Sequence, residues 1–370
     1  MWDVAWWFQF RVNLNNMDIK EKFVLFAGGG TMGPVTPLLA VWRAMKRRRN
    51  DLSLAWAGTP DGPEREIIKS EGGRFFSVPV VKIPRYPSMR WITWPFAYLN
   101  ASHVASRILV KTKPLMIGSV GGYTATPIIR RGSRKKIPCA IHQLDYEPGL
   151  SNRAVAGLCK SVTTSYEYGA PPFSGLKSDR VPTPCRFAGR TPLSKDEACS
   201  SFELDPSRPV IFVLGGGTGS KAINDAIGHI RKDLVTLTQI IHLTGKGKGA
   251  KNVENVGAHA MRPGLPSSIA KEFFDENEMF RAFCAADLVV SRAGIGTISE
   301  VACLSKPTIL IPIPKSHQEK NAARLPCDVI TQKEGFHDRL LARIHFHLSN
   351  EQERRTIGEK LHEDFPVDDG

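Results

Sequence analysis

The sequence predicts an α/β protein built from two doubly wound parallel-sheet domains, and a repeated glycine phrase is the first reason. An apolar run ends in three glycines and a threonine at 23–31 and again at 210–218, and a helical segment follows each time. Downstream of both, short apolar strands alternate with helices, an order that produces parallel sheets. A chain of 370 residues also suits two domains of ordinary size. Each half is therefore expected to form one Rossmann-like sheet.

The predicted elements come in a similar order in both halves. In the first half, apolar residues from Leu38 to Met45 recur at helical spacing after the glycine turn. A strand at 52–59 and a glycine-closed helix at 63–73 come next. The remaining predicted strands are 114–122, 137–143 and 161–166 in the first half, and 209–217, 239–245, 287–294 and 308–314 in the second.

A turn-rich segment at 183–198 separates the two halves. The prediction is a first domain at 23–185 and a second domain at 186–345. Residues 1–22 are expected to be a non-native or mobile extension, because polar residues interrupt their aromatic run. Residues 346–370 are expected to form a helical tail, for which packing on the first domain is one option.

Composition and cysteine usage indicate a globular protein of a reducing cytoplasm. Apolar residues make up 42% of the chain and charged residues 23%, and no window of about 18 uninterrupted apolar residues occurs. The seven cysteines are irregularly spaced and include no C-x-x-C, which argues against a disulfide framework and against a zinc site.

The net charge of +14 is confined to the first half of the chain. Residues 1–185 hold 26 Lys and Arg against 12 Asp and Glu, whereas residues 186–370 hold 24 of each kind. Such a one-sided field attracts anionic partners. An anionic membrane surface fits, and no basic motif of a known nucleic-acid-binding type occurs. A solvated face that only improves solubility is the alternative.

The glycine turns are expected to approach phosphate. Glycine lets backbone N–H groups reach a diphosphate at the amino end of a helix, and Gly28, Gly30 and Gly33 match the dinucleotide-binding spacing. A dehydrogenase would carry an acidic residue at the end of the second strand, and that strand ends in WAGT instead.

Residues 286–322 form the most specific segment: a strand, a glycine loop, a short helix beginning near Thr297, another strand and a polar loop. Glu300 is expected in the first turn of that helix, where a carboxylate can accept two hydrogen bonds from a ribose diol. A helix-capping role is the alternative for Glu300. The loop N–H groups at 293–296 can meet phosphate oxygens, and Gln318 and Asn321 can hold a sugar.

With these segments in view, the chain resembles the MurG family of peptidoglycan glycosyltransferases from about Phe23 to Asn321. The likeness depends on eight motifs in order, since none of them would suffice alone. They are GGGTMG (28–33), GGYTATP (121–127), HQLDYEPGLSN (142–152), TPCR (183–186), GGGTGSKAIN (215–224), HLTGKG (242–247), RAGIGTISE (292–300) and HQEKNA (317–322).

The resemblance implies the GT-B architecture, in which two Rossmann-like domains face each other across a cleft. It also implies an inverting transfer of N-acetylglucosamine from UDP-N-acetylglucosamine to the polyprenyl-pyrophosphate-linked acceptor lipid I, which makes lipid II, without a metal or another cofactor. The implied location is peripheral, on the cytoplasmic face of the plasma membrane. Two alternatives stay open: another lipid acceptor such as diacylglycerol, and a catalytically inactive scaffold of cell-wall synthesis.

The resemblance further assigns binding residues by motif. Donor contacts are implied for Thr31, Met32, Gly33, Asp145, Arg186, Gly217, Thr218, His242, Arg292, Gly294, Ile295, Gly296, Thr297, Glu300, Gln318 and Asn321. Acceptor contacts are implied for Gly29, Gly30, Gly33, Gly121, Gly122, Tyr123 and Asn152.

The chain departs from the family pattern at two places that concern the chemistry. Pro34 stands where the family has a histidine, and Asp145 stands where the family's H-E-Q-N motif has its asparagine. An inverting transfer needs a group that takes the acceptor proton. Asp145 is therefore predicted to be the base, with His142 orienting either Asp145 or the acceptor. An Asx-type turn before Pro148 is the alternative for Asp145.

The segment 81–99 is predicted to bind an anionic membrane surface. Basic side chains gain free energy near anionic lipid, and aromatic rings favour the interface. The residues concerned are Lys82, Arg85, Tyr86, Arg90, Trp91, Trp94 and Phe96. Burial of the rings in the core is the alternative, although Pro84, Pro87 and Pro95 disfavour a long core helix there.

Overall fold

The computed structural model describes residues 21–81, 90–248 and 268–370, which form two compact units. The first unit contains the described residues up to Leu144, together with Pro148–Arg186 and Asp369–Gly370. The second contains Asp145–Glu147 and Phe187–Asp368. The division between Arg186 and Phe187 lies one residue from the predicted domain boundary. Most of the predicted extension, residues 1–20, lies outside the described part of the chain.

The first unit is built on a parallel sheet with the strand order β3-β2-β1-β4-β5-β6-β7. Its strands are β1 (Lys22–Ala27), β2 (Leu52–Gly58), β3 (Arg74–Ser77), β4 (Met116–Ser119), β5 (Cys139–Gln143), β6 (Ser161–Thr164) and β7 (Asp179–Arg180), and a short strand β8 (Thr183–Pro184) follows. The strand order reverses direction between β1 and β4, which is the signature of a doubly wound sheet.

Helices cover this sheet and close its core. They are α1 (Met32–Arg48), α2 (Glu64–Ser70), α3 (Arg90–Thr112), α4 (Ala125–Arg134) and α5 (Leu150–Val155), followed by a 3-10 turn at Ala156–Leu158. The predicted apolar face of α1, from Leu38 to Met45, is buried. One core cluster joins α3, α4 and α5 to the sheet through apolar residues such as Ile108, Ile128 and Val155.

The second unit repeats the plan with the strand order β11-β10-β9-β12-β13-β14. Its strands are β9 (Val210–Leu214), β10 (Gln239–Leu243), β11 (Ser268–Lys271), β12 (Leu288–Ser291), β13 (Thr308–Leu310) and β14 (Asp328–Val329), and a short strand β15 (Val367–Asp368) lies near the end of the chain. Its helices are α6 (Lys195–Ser200), α7 (Lys221–Leu237), α8 (Glu276–Ala285), α9 (Ile295–Cys303), α10 (His317–Ala322), α11 (Phe336–Ser349) and α12 (Glu351–Asp364).

Local sequence explains where several of these helices begin. Ser194 with Glu197, and Asp275 with Glu278, form capping boxes that satisfy the first N–H groups of α6 and α8. Ser220 caps α7 by accepting a hydrogen bond from the N–H of Ile223. The two sheets confirm the predicted α/β fold class with two Rossmann-like domains.

Two helices, α3 and α12, bear on what the sequence predicts. Pro95 lies inside α3, which continues to Thr112, but the part of α3 around Pro95 is not a core helix. A proline near a helix start removes one backbone donor, and the residues around Pro95 are mostly exposed, so water can satisfy the freed carbonyl. In the predicted tail, α12 packs on α9, and Asp369–Gly370 are assigned to the first unit. Within the described residues, no helix is both long and apolar enough to cross a membrane.

Candidate active site

The candidate donor site lies at the carboxyl edge of the second sheet. The strand order reverses between β9 and β12, and the loops that follow neighbouring parallel strands meet at one edge. In open α/β sheets, ligands bind in the crevice at that reversal. The loops that follow β9, β12 and β13 supply most of the predicted donor residues of the second half.

The helix α9 presents an uncapped amino end at this edge. Gly294 is its N-cap residue and makes no side-chain cap bond, so the first N–H groups of the helix are left for another acceptor. Those N–H groups belong to Ile295, Gly296 and Thr297. The partial positive charge of a helix amino end favours an anion such as phosphate.

Gln318 lies across the loop from this helix end. Its side-chain oxygen accepts a hydrogen bond from the N–H of Ile313 at 3.1 Å, which fixes the orientation of the amide. Its Nε2 would lie 3.7 Å from a β-carbon added at Gly294. The amide N–H₂ therefore stands beside the amino end of α9, where it can donate to a ligand.

Glu300 lies two residues further into α9 than predicted. Because the helix begins at Ile295 rather than near Thr297, Glu300 is its sixth residue and occupies the second turn. The residue is 4% exposed and has partners within the protein. The first-turn prediction is wrong, and the macrodipole acts more weakly on this carboxylate than a first-turn position would allow.

The second glycine turn has a packing role as well as an open face. The backbones of Gly219 and Gly245 press together, and a β-carbon at Gly219 would lie 2.2 Å from the carbonyl oxygen of Thr244. Only glycine fits there, which ties the β9 and β10 loops to each other. The neighbouring Gly217 and Thr218 remain exposed at the sheet edge.

Two predicted donor contacts have structural partners instead. His242 is fully buried in β10, its Nε2 is 3.0 Å from Oδ1 of Asn224, and burial lowers its pKa to about 4, with the charge of Arg231 as a smaller cause. Nη1 of Arg292 donates to the carbonyl oxygens of Ile311 and Pro312, and burial lowers the pKa of this guanidinium. Both side chains hold loops and strands of the second unit.

Asn321 is likewise not available to hold a sugar. It is fully buried, its Nδ2 donates to Oδ1 of Asp145 at 2.9 Å and to the carbonyl oxygen of Ala293 at 3.3 Å, and its Oδ1 accepts from the N–H of Tyr146 at 2.9 Å. The amide thus connects the β12 loop to residues 145–147. The sugar-binding prediction for Asn321 is replaced by a positioning role.

Residues 145–147 are held at several points by α10 and by Arg324, which lies two residues beyond that helix. Lys320 lies 2.9 Å from the carboxylate of Glu147, and Arg324 stacks on Tyr146 and donates to its hydroxyl at 2.7 Å. Nε2 of His317 lies 3.7 Å from Oδ1 of Asp145. The predicted base is therefore surrounded by residues of the HQEKNA motif.

His142 does not orient Asp145. Its ring is buried in β5, with Nδ1 2.9 Å from the hydroxyl of Thr163 and Nε2 2.9 Å from the hydroxyl of Ser165. Burial lowers the pKa of His142 to about 3. Both nitrogens are occupied by neighbours on and beside β6, so the orienting role predicted for His142 is corrected to a structural one.

The first glycine turn is closed by a carboxylate of the chain itself. Glu64, fully buried at the start of α2, accepts from the N–H of Gly30 at 3.2 Å and from the N–H and hydroxyl of Thr59 at 2.7 and 2.8 Å. A β-carbon at Gly29 would lie 2.0 Å from Oε1 of Glu64. An acceptor pyrophosphate would be repelled there, so Gly29 and Gly30 do not form the expected phosphate cradle.

Other predicted acceptor residues do come together at the carboxyl ends of β1 and β4. A β-carbon at Gly121 would lie 2.9 Å from Oδ1 of Asn152, and one at Gly122 would lie 4.0 Å from the backbone of Gly29. Asn152 donates from Nδ2 to Oε1 of Gln143 at 2.7 Å. Tyr123 is exposed beside this turn.

The amino end of α1 completes this part of the first unit. Thr31 is the N-cap residue and makes no side-chain cap bond, which leaves the N–H groups of Met32 and Gly33 without an intrahelical partner. Pro34 has no N–H to offer. Arg186, the last residue of the first unit, is half-buried.

Two site residues were missed by reasoning from the sequence, namely His317 and Glu64. His317 is the first residue of the HQEKNA motif, but nothing in the sequence indicates that it lies next to Asp145. Glu64 follows the second strand at a distance that suits a helix start, and its contact with the glycine turn depends on tertiary packing. In the described part of the chain, no group of three or more His, Cys, Asp or Glu is arranged to hold a metal.

Comparison with known families identifies the class of protein. Residues 24–164 match the glycosyltransferase family 28 N-terminal domain, and residues 210–335 match the glycosyltransferase family 28 C-terminal domain. These two segments contain the two glycine turns and the candidate donor loops. The fold and the site are thus those of a two-domain glycosyltransferase.

Curated relatives then narrow the family. A protein of Bifidobacterium longum is 32% identical over 322 residues, which cover 82% of each chain, and one of Clostridium botulinum is 33% identical over 294 residues, which cover 79% of this chain and 78% of that one. Both are named UDP-N-acetylglucosamine–N-acetylmuramyl-(pentapeptide) pyrophosphoryl-undecaprenol N-acetylglucosamine transferase. The chain belongs to glycosyltransferase family 28 and, within it, to the MurG family.

Solved structures agree with the fold. The crystal structure of MurG from Acinetobacter baumannii has a TM-score of 0.66 at 23% identity and covers 92% of this chain and 95% of that one. The UDP-GlcNAc 2-epimerase from Neisseria meningitidis bound to UDP-GlcNAc has a TM-score of 0.60 at 11% identity, with 94% of this chain and 95% of that one covered. At these identities the likeness concerns the architecture, and it confirms the GT-B type.

Proposed function

We propose that this protein transfers N-acetylglucosamine from UDP-N-acetylglucosamine to lipid I, with inversion at the sugar carbon, and so makes lipid II. The observation that carries the proposal is the uncapped amino end of α9 beside Gln318, in a member of the MurG family. An anionic diphosphate fits this helix end, and an amide donor stands next to it. The name shared by the relatives supplies the substrates.

The donor is proposed to bind the carboxyl edge of the second sheet. Its diphosphate would meet the N–H groups of Ile295 to Thr297, and the side-chain amide of Gln318 would donate to the sugar. The ribose diol would bind the carboxylate of Glu300. Gly217 and Thr218, exposed on the β9 loop, would line the same crevice.

The acceptor pyrophosphate is proposed to bind the first unit at the amino end of α1. With Gly29 and Gly30 closed by Glu64, the N–H groups of Met32 and Gly33 are the backbone donors that remain at this turn. Tyr123 and the glycines beside it would form the adjoining wall. Arg186 is proposed to contact the donor, as the family resemblance implies.

We further propose that the first unit binds the cytoplasmic membrane surface peripherally through α3. Four apolar side chains on this helix are at least 60% exposed, namely Ile92, Phe96, Leu99 and Val110. Their spacing of 4, 3 and 11 residues places them on one face at 100° per residue. An exposed apolar stripe of this kind is the signature of a helix that lies in a membrane interface.

Basic residues flank this stripe. Arg107 and Lys111 are exposed on the same helix, and α4, which packs beside α3, carries Arg130 and Arg134. Each basic side chain gains about 1 kcal/mol near an anionic lipid surface. Of the predicted membrane segment, residues 82–89 and the side chains of Arg90 and Trp91 lie outside the described part of the chain. Trp94 is half-buried and stacks on Tyr98.

Transfer itself is tested with the purified full chain, radiolabelled UDP-N-acetylglucosamine and a soluble-chain lipid I analogue. We expect labelled product that contains both sugars, and no product when UDP-glucose replaces the donor. A parallel reaction with diacylglycerol in place of the lipid I analogue tests the alternative acceptor. Label found only in diacylglycerol, or donor binding with no transfer to either lipid, would contradict the proposed function.

Membrane binding is tested by flotation with vesicles of phosphatidylglycerol and of phosphatidylcholine. The wild-type chain should float with the anionic vesicles only, and added salt should weaken binding. Phe96→Ser with Leu99→Ser should abolish flotation. Phe273→Ser is the matched control, because Phe273 is as exposed but belongs to the second unit. Equal flotation with both lipids, or loss in the control alone, would disprove the role of α3.

A further inference from the structure

A histidine–aspartate pair in the second unit has no role in the donor binding described above. Nε2 of His317, the first residue of α10, lies 3.7 Å from Oδ1 of Asp145. We propose that His317 is the general base of the transfer and that Asp145 orients it. This inference rests on the proposed function and reverses the expectation that Asp145 itself takes the proton.

The pair is held next to the donor loop by one buried amide. Asn321 donates from Nδ2 both to Oδ1 of Asp145 and to the carbonyl oxygen of Ala293, which is two residues before α9 begins. The carboxylate is therefore placed one side chain away from the proposed phosphate site. Gln318, which is proposed to bind the donor sugar, is the next residue after His317.

The two side chains differ in what they can offer a substrate. Oδ1 of Asp145 already accepts from Asn321, whereas Nδ1 of His317 has no hydrogen-bond partner within the described residues. The side chain of His317 is 50% exposed. A neutral imidazole nitrogen can accept a proton, and a carboxylate beside it stabilises the imidazolium that forms. At 3.7 Å the pair is longer than a hydrogen bond, and catalytic hydrogen bonds of this kind often shorten only when substrate is bound.

The proposed step balances in atoms and charge. The acceptor hydroxyl oxygen forms a bond to the anomeric carbon while the bond from that carbon to the diphosphate oxygen breaks. The electron pair of the broken bond leaves with UDP. The hydroxyl proton passes to Nδ1 of His317, and the resulting imidazolium faces the carboxylate of Asp145 through Nε2.

Other charged groups near the pair have partners of their own. Lys320 pairs with Glu147, and Glu319 accepts from the backbone N–H of Lys315 at 3.1 Å. Among the ion pairs of the described residues, the one that His317 makes within 4 Å is with the carboxylate of Asp145. A change in the pH profile on removal of His317 can therefore be assigned to this pair.

The experiment compares His317→Asn with Asp145→Asn in the full chain, with UDP-N-acetylglucosamine and the lipid I analogue as substrates. His317→Asn should lower kcat by about a hundred-fold or more and leave the Kd for UDP within about two-fold, since the base acts on the acceptor proton. In the wild type, kcat/KM should fall toward acidic pH, and this acidic limb of the pH profile should disappear in His317→Asn. Asp145→Asn should lower kcat by about ten-fold and keep that limb, because the imidazole remains. His345→Asn, the same change at an exposed histidine of α11, is the matched control and should leave kcat unchanged.

The outcomes separate the two proposals. A wild-type chain that binds UDP but transfers nothing to the lipid I analogue contradicts the proposed function. An active wild-type chain whose His317→Asn variant keeps kcat and the acidic limb overturns the role of His317. That role is also overturned if Asp145→Asn loses a hundred-fold in kcat while His317→Asn does not. Rescue of a His317→Gly variant by added imidazole would support the base directly, since a structural role gives no rescue.

Discussion

Glu300 stands in the second turn of α9, and a ribose diol is the ligand that its carboxylate is proposed to bind. A hydrogen bond to a charged group contributes about 1.5–3 kcal/mol. We therefore expect Glu300→Gln to weaken UDP binding by about ten-fold or more, measured by titration calorimetry on the folded protein. Glu353→Gln, at an exposed glutamate of α12, should bind UDP as the wild type does. Unchanged UDP affinity in Glu300→Gln would show that this carboxylate only supports the helix.

At the scale of residues, motifs identify which side chains are present at the site but not which way they face. His142 and His242 belong to glycosyltransferase motifs, yet both lie on central strands whose faces are covered by helices. Asn321 looks like a sugar ligand by type, but its amide is fully used within the protein. Those outcomes depend on packing between distant segments, and such packing has no local sequence signal.

The contact between α2 and the first glycine turn is the main unpredicted feature at the scale of elements. Glu64 accepts hydrogen bonds from Gly30 and Thr59 there while fully buried. Replacing it by glutamine keeps the size but turns one acceptor into a donor that faces other donors. We expect Glu64→Gln to lower the free energy of unfolding by about 1–3 kcal/mol.

Tryptophan fluorescence reports unfolding of the first unit, to which Glu64 belongs, because all seven tryptophans precede residue 95. Urea unfolding followed at this signal should shift to lower urea in Glu64→Gln. Glu66→Gln, on the same helix but exposed and paired with Lys69, serves as the matched control with little expected change. Equal midpoints for all three proteins would mean that the buried carboxylate contributes nothing to the turn.

The inner strands of both sheets were predicted, but the edge strands β3, β7, β11 and β14 were not. Several carboxyl ends of the predicted strands were also placed too far along the chain. The predicted strands 114–122, 287–294 and 308–314 end in the structure at Ser119, Ser291 and Leu310. The loops that follow contain apolar residues such as Val120, which is buried beyond the end of β4. Hydrophobicity alone cannot separate a buried loop from a buried strand. These loops build the candidate site, so prediction is least precise where function lies.

At the scale of the whole molecule, the repeated glycine phrase does correspond to two similar sheets, and each sheet buries one histidine. The sequence predicts the repeat because strand, glycine turn and helix are local patterns. The hydrogen bonds of His142 to two hydroxyls and of His242 to Asn224 form only when the folded sheets bring these residues together. Both rings are kept neutral by burial, which lowers the pKa values to about 3 and about 4.

Those lowered pKa values predict that stability falls as the pH drops below about 6.5, the ordinary value for histidine. Between that value and the folded pKa, the unfolded chain binds protons that the folded chain does not, so the free energy of unfolding rises with pH. Each ring contributes a slope of up to about 1.4 kcal/mol per pH unit, and neither contributes a slope above the unfolded pKa. Urea unfolding followed by tryptophan fluorescence at several pH values between about 5 and about 7.5 measures the slope for the first unit. His142→Asn can still bond the two hydroxyls but cannot titrate, so its slope should be shallower than that of the wild type, whereas His345→Asn should keep the wild-type slope. A His142→Asn protein with the full wild-type slope would place the pH dependence in other groups.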